Sequence, residues 1–108
     1  MSRLALLQQY LAETPEDAFL LFAIAREYEG LQDTAMALHY YLLLRGKHPG
    51  YVGLYYHLGK LYERIDQPHD AWETYTTGMT KAQQANDQHA WAELTGARLA
   101  LGDEDDFE

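Results

Sequence analysis

The sequence has no cysteine, only three prolines, and a single serine, Ser2, beside the N-terminus. Without thiols there are no disulfides and no thiol chemistry, although the compartment stays open because proteins of oxidising compartments can also lack cysteine. Nucleophilic catalysis has little to work with, since an activated serine or cysteine needs a base beside it within a fold, not at a chain end. Cations are scarce as well: eight Lys and Arg stand against 17 Asp and Glu, for a net charge of −9. Nucleic acid or an anionic membrane is therefore a poor partner for the surface as a whole, because few cations are available to displace phosphate counterions. The simplest role of such a charge is solubility. Nor is there an apolar run approaching the roughly 20 residues that cross a bilayer, and the start, MSRLALLQQYLAET, is broken by glutamines before a secretory core could form. These absences predict a soluble, cytoplasmic protein. Its 108 residues suit one domain able to bury roughly 60–70% of the surface of its unfolded chain.

What is present is helical periodicity. Leu4, Leu7 and Leu11 form a short apolar stripe, and Leu21, Ile24, Ala25 and Tyr28 follow the i, i+3, i+4, i+7 spacing of one helix face. Tyr55, Leu58, Gly59 and Tyr62 do the same. No stretch alternates with period two for long enough to build a sheet. Thr14, Pro15 and Asp17 read as an N-cap, a first-turn proline and an N3 acid; Asp33 caps a helix from Thr34; His48, Pro49 and Gly50 break the chain; Pro68 suits a first helical turn. The predicted helices run over residues 2–13, 16–30, 34–46, 51–65, 68–82 and 87–101. Gly102 closes the last of them, and the GDEDDFE that it opens has too little apolar content to pack by itself.

Comparing the helices with one another exposes a repeat. A shift of 34 residues lays Leu20 on Leu54, Ile24 on Leu58, Ala25 on Gly59, Tyr28 on Tyr62, Glu29 on Glu63, Ala37 on Ala71 and Tyr41 on Tyr75. It also carries Pro15 to Pro49 and Leu7 to Tyr41, so the first helix reads as the second half of an incomplete preceding repeat. Downstream, Trp91, Leu94, Thr95 and Arg98 recover the spacing only after a two-residue slip, with Arg98 in place of the tyrosine. A stack of helix pairs needs a last helix with one wet face, and this one suits that place.

On these residues the chain resembles a tetratricopeptide repeat protein. Leu21, Ile24, Ala25, Tyr28, Ala37, Tyr41 and Pro49 match the family's pattern in one copy, and Tyr55, Leu58, Gly59, Tyr62, Ala71 and Tyr75 match it in the next. Leu44 and Gly78 stand where the family has a small alanine, and Gln83 where it has proline. The resemblance implies an all-α, antiparallel helix-pair solenoid of about two full repeats plus flanking capping helices. Its parts would be an N-terminal half repeat (1–15), two repeats (16–49 and 50–85), a capping helix (86–102) and an acidic tail (103–108). It also places Gly59, like Ala25 one period earlier, where the two helices of a repeat cross, so that a larger side chain would force them apart.

Function is then sought on the face that the stripe leaves over. Phe19, Phe22 and Arg26 share that face of one helix, and Tyr56, His57, Lys60 and Arg64 share it on the helix one repeat later. In the family this face lines a concave groove for peptides or protein tails; here it would be aromatic and locally basic, suited to acidic or C-terminal carboxylate groups. The same residues also have a plainer reading, in which Arg26 pairs with Glu29, Lys60 pairs with Glu63, and the phenylalanines pack on the N-terminal helix. The carboxylate clamp of chaperone-binding members does not transfer, because Phe22, Gly53 and His57 do not supply its lysines and asparagines.

Other constellations carry less. The five histidines show no metal-ligand spacing, and the nearest cluster, Asp66, His69 and Asp70, sits at a helix start where acids favour the dipole. No cofactor is implied, and the expectation is a non-catalytic interaction module. The alternative is self-assembly, a homodimer made through the first and last helices. The primary reading of residues 103–108 is a disordered solubilising tail; docking of that tail in the basic face is the other.

Overall fold

The computed structural model describes residues 1–107. Among them the regular structure is entirely helical: α1 (Arg3–Glu13), α2 (Ala18–Gly30), α3 (Thr34–Lys47), α4 (Gly53–Arg64), α5 (Pro68–Gln84), α6 (Gln88–Leu101) and a single turn, α7 (Glu104–Phe107). The chain divides into two compact units, Met1–Tyr51 and a second that starts at Val52.

Local chemistry sets the helix ends. Asp33 and Asp87 accept hydrogen bonds from the amides of Met36 (3.2 Å) and Ala90 (3.0 Å), each cap contributing about 1 kcal/mol. The start of α2 corrects the sequence reading: Asp17 is itself the N-cap, accepting from the Leu20 amide at 3.0 Å, while Thr14 closes α1. The carboxylate reaches that amide directly, which leaves Pro15 and Glu16 in the turn before it.

Three connections share one geometry. Gln32, Asp66 and Asn86 take left-handed backbone angles, with φ of 60°, 59° and 56°. In each case the next amide reaches back to a carbonyl five residues earlier, Asp33 to Tyr28, Gln67 to Tyr62 and Asp87 to Ala82, all at 2.9 Å. This closes the orphan carbonyls of α2, α4 and α5 in the same way and turns each chain sharply into the next helix.

In the first unit, Leu7 of α1 meets Ala23 and Ile24 of α2, with Leu4, Leu11, Leu20, Tyr28 and Tyr40 packed around them. Leu21, Ala25, Ala37, Tyr41 and Leu44 are also buried. The second unit buries Leu54, Tyr55, Leu58, Leu61 and Tyr62 of α4, Ala71, Tyr75 and Ala82 of α5, and Leu94 and Ala97 of α6.

Gly59 shows why the repeat tolerates a glycine inside a helix. A Cβ on it would lie 2.2 Å from Cε1 of Tyr75 and 2.7 Å from Cδ1 and Cζ, so the ring fills the place a side chain would take. Gly78 makes the same allowance for Tyr55, whose Cβ would be 2.5 Å from an added Cβ. One period earlier these two positions are Leu44 and Leu21, both fully buried. A large-and-small pair thus stands in one unit where two medium residues stand in the other, and the bulk of Leu44 is matched by a smaller residue at 21.

The repeat is not uniform in its neighbours. Tyr28 stacks on Tyr40 (5.7 Å between centroids, 19° between planes) and accepts from Gln8 at 3.1 Å. One period on, Thr74 occupies the place of Tyr40, so the position that supplies a ring to Tyr28 supplies none in the second unit.

The acidic tail also departs from expectation. Residues 104–107 form α7, and Phe107 stacks on Trp72 of α5 with centroids 4.7 Å apart and planes 8° apart. The single aromatic ring among the acids supplies the apolar contact that the composition of the tail did not promise. Glu108 lies outside the described residues.

Candidate functional site

Each unit presents one candidate helix face, α2 in the first and α4 in the second, above a buried tyrosine hydroxyl. On α2, Phe19 is 63% exposed. Phe22, three residues on, is half-buried and lies against Tyr41 (6.3 Å) and Tyr51 (5.4 Å), so its ring belongs partly to the packing of the unit. Arg26 is paired with Glu29 at 3.2 Å.

On α4, Tyr56 and His57 are half-buried and meet edge to face at 5.5 Å. The Lys60 ammonium lies 5.5 Å from the centre of the Tyr56 ring and 3.6 Å from Glu63. Arg64 is exposed at the end of the helix. The cations at 26 and 60 are thus members of ion pairs, as the i, i+3 spacing allowed.

Beneath each face lies the same polar link. The Tyr41 hydroxyl donates to Glu29, and the Tyr75 hydroxyl donates to Glu63, joining the two helices of each repeat across a 12-residue separation. Burial, reinforced by the Glu29 carboxylate and opposed by Arg26, holds the Tyr41 hydroxyl protonated far above the ordinary tyrosine range. Burial and Glu63 do the same for Tyr75, with Tyr56 adding to the shift. Each glutamate therefore faces two ways, outward to a surface cation and inward to a buried phenol. A hydrogen bond with an ionised acceptor contributes about 1.5–3 kcal/mol, so this link is a substantial part of the hairpin.

The sequence reading passed over a second cluster. His69, Trp72 and Thr76 share one face of α5, and Arg98 of α6 lies 4.7 Å from the Trp72 ring while donating to Thr76 at 3.1 Å. Phe107 touches both Trp72 and His69, the latter at 5.2 Å. The i, i+3, i+7 spacing of residues 69, 72 and 76 was visible; the approach of Arg98 and the tail was not.

With this geometry in place, comparison with solved structures defines the class. A tetratricopeptide repeat domain protein from Salinibacter ruber is similar to this chain in both its solution and crystal structures. The solution structure is 41% identical, with 81% of this chain and 88% of that one covered and a TM-score of 0.78. For the crystal structure the figures are 40%, 79%, 96% and 0.76. A protein from Bordetella parapertussis shares the fold at 22% identity, with 94% of this chain and 88% of that one covered and a TM-score of 0.80. No protein-family model matches the sequence, and no curated protein does. The chain belongs to the tetratricopeptide repeat family. Its fold class is that of a helical-repeat protein-interaction module, and domains of this kind are typically non-catalytic scaffolds. No helix among the described residues is long and apolar enough to cross a membrane.

Proposed function

We propose that the chain binds a peptide or protein tail through the exposed faces of α2 and α4. The observation that carries this reading is Phe19, an aromatic ring left 63% exposed on the first helix of a repeat. Exposed aromatics supply contact area at small entropic cost. The α4 face supports the reading with Tyr56, the Lys60 ammonium over its ring, and the exposed Arg64 further along the helix, on a strongly acidic molecule. Because Arg26 and Lys60 already hold carboxylates, they would meet a ligand's acidic or C-terminal carboxylate by sharing or exchanging that partner, and selectivity for acids comes second to aromatic contact.

Affinity capture with the full chain tests this. Reversal at Arg26 or Lys60 would disturb the glutamates that hold Tyr41 and Tyr75, so the informative variant is Phe19→Ser with Arg64→Glu. It should keep the helical circular dichroism of the wild type at the temperature of the assay and lose the bound proteins. Retention of the same proteins at the same yield would overturn the assignment.

A second reading has its own observation. Leu6 and Tyr10 on α1 are 41% and 51% exposed, and Leu99 on α6 is 68% exposed, as self-assembly through terminal helices would require. Sedimentation velocity decides it: a concentration-dependent dimer that Leu6→Glu and Leu99→Glu abolish supports assembly, and a monomer at all concentrations removes it.

A further inference from the structure

The surface that holds the tail has the features of a recognition site with an occupant. Trp72 is half-buried and presents its ring to Phe107 in a nearly parallel stack, 8° from coplanar. Arg98 is held over the same indole at 4.7 Å by its bond to Thr76, a contact within α5 and α6 that orients cation and ring together. His69 closes the other edge of Phe107. On a molecule of net charge −9 this joins a cation to an aromatic platform.

The tail is shaped to fit. The Asp103 amide donates to Asp106 at 2.9 Å and the Asp105 amide to Asp103 at 3.0 Å, so the acids fold the segment into its turn while Phe107 makes the contact. Gly102 lets the chain fold back: a Cβ there would fall 2.8 Å from both the Asp106 carboxylate and the Phe107 ring. Four helical residues and one half-buried ring nevertheless make a weak closure, held by proximity more than by area.

We propose that His69, Trp72 and Arg98 form a second recognition site, for a protein segment in which an aromatic residue follows a run of acids, and that residues 103–107 occupy it as an internal, displaceable stand-in. This site shares no residue with the α2 and α4 faces and its proposal does not depend on them.

The test uses three full-length proteins, wild type, Phe107→Ala and Phe107→Ala with Arg98→Gln, and a capped synthetic peptide of the sequence GDEDDFE. The Trp72 indole N–H is followed by NMR. Phe107→Ala should bind the peptide saturably with a shift at Trp72, about tenfold more tightly than wild type, whose site is filled from within. Arg98→Gln should remove most of that gain. Gly102→Ala, which displaces the tail while keeping Phe107, should behave like Phe107→Ala. The proposal is overturned if Trp72 is unmoved in Phe107→Ala at millimolar peptide, or if wild type binds equally well. It is also overturned if the peptide moves Phe19 and Lys60 instead, a result that would leave the α2 and α4 reading standing. A wild-type dimer that Phe107→Ala dissolves would place the tail on a second copy and contradict the internal contact.

Discussion

Replacing Gly59 by alanine pits two effects of opposite sign against each other. In an exposed helix interior the change stabilises by about 1 kcal/mol, because alanine loses less backbone freedom on folding. At Gly59 the new methyl would sit 2.2 Å from Cε1 of Tyr75, far inside van der Waals contact. The ring cannot swing aside cheaply, since Tyr75 is fully buried and its hydroxyl is held by Glu63. Overpacking of this kind costs about 1–3 kcal/mol, and weakening the bond to a charged acceptor adds to it. The clash therefore wins, by about 1–2 kcal/mol net, which in a domain of this size lowers Tm by about 4–8 °C per kcal/mol. Gly96 is the control. It lies within α6 with nothing within 4 Å of its Cβ direction, so Gly96→Ala should raise Tm. Thermal and urea melts followed by circular dichroism read both variants. A Gly59→Ala protein that melts at or above wild type would refute the packing argument, as would shifts of the same sign in the two variants.

Two further outcomes follow from the repeat. Tyr41 and Tyr75 keep their protons in the folded state at pH values where the unfolded chain releases them, so their contribution is complete below pH about 10 and is lost as pH rises beyond it. In a spectrophotometric titration of the nine tyrosines these two should ionise only with unfolding; reversible titration of all nine near pH 10 with the helices intact would contradict it. At the left-handed turn positions, Gln32→Gly and Asp66→Gly should each stabilise by about 0.5 kcal/mol, the relief of strain less the added freedom of the unfolded chain. Urea midpoints that fall in both variants would show that these turns are not strained.

The helices and their pairing were legible because their signals are local or periodic. Asp33 caps where its side chain predicts, and the shift of 34 aligned Glu29 with Glu63 and Tyr41 with Tyr75 before any contact was known. That those aligned residues bond to each other was not visible, because a separation of 12 becomes contact only after a hairpin closes. The face of α2 was read as one surface, yet Phe19 is exposed while Phe22 is shared with Tyr41 and Tyr51; helical spacing assigns a side, not the depth at which a neighbouring ring arrives. The tail was misread for a related reason. Its composition is that of a solvated segment, and its order comes from Trp72 and Arg98, which lie on other helices.

The interaction account is tested most directly by NMR titration of the full chain with the protein segment that affinity capture recovers. Amides of Phe19, Lys60 and Arg64 should shift together and saturate at one affinity, with the Phe19→Ser, Arg64→Glu protein showing no such change. Shifts confined to the outer residues of α1 and α6, with those three amides still, would contradict it.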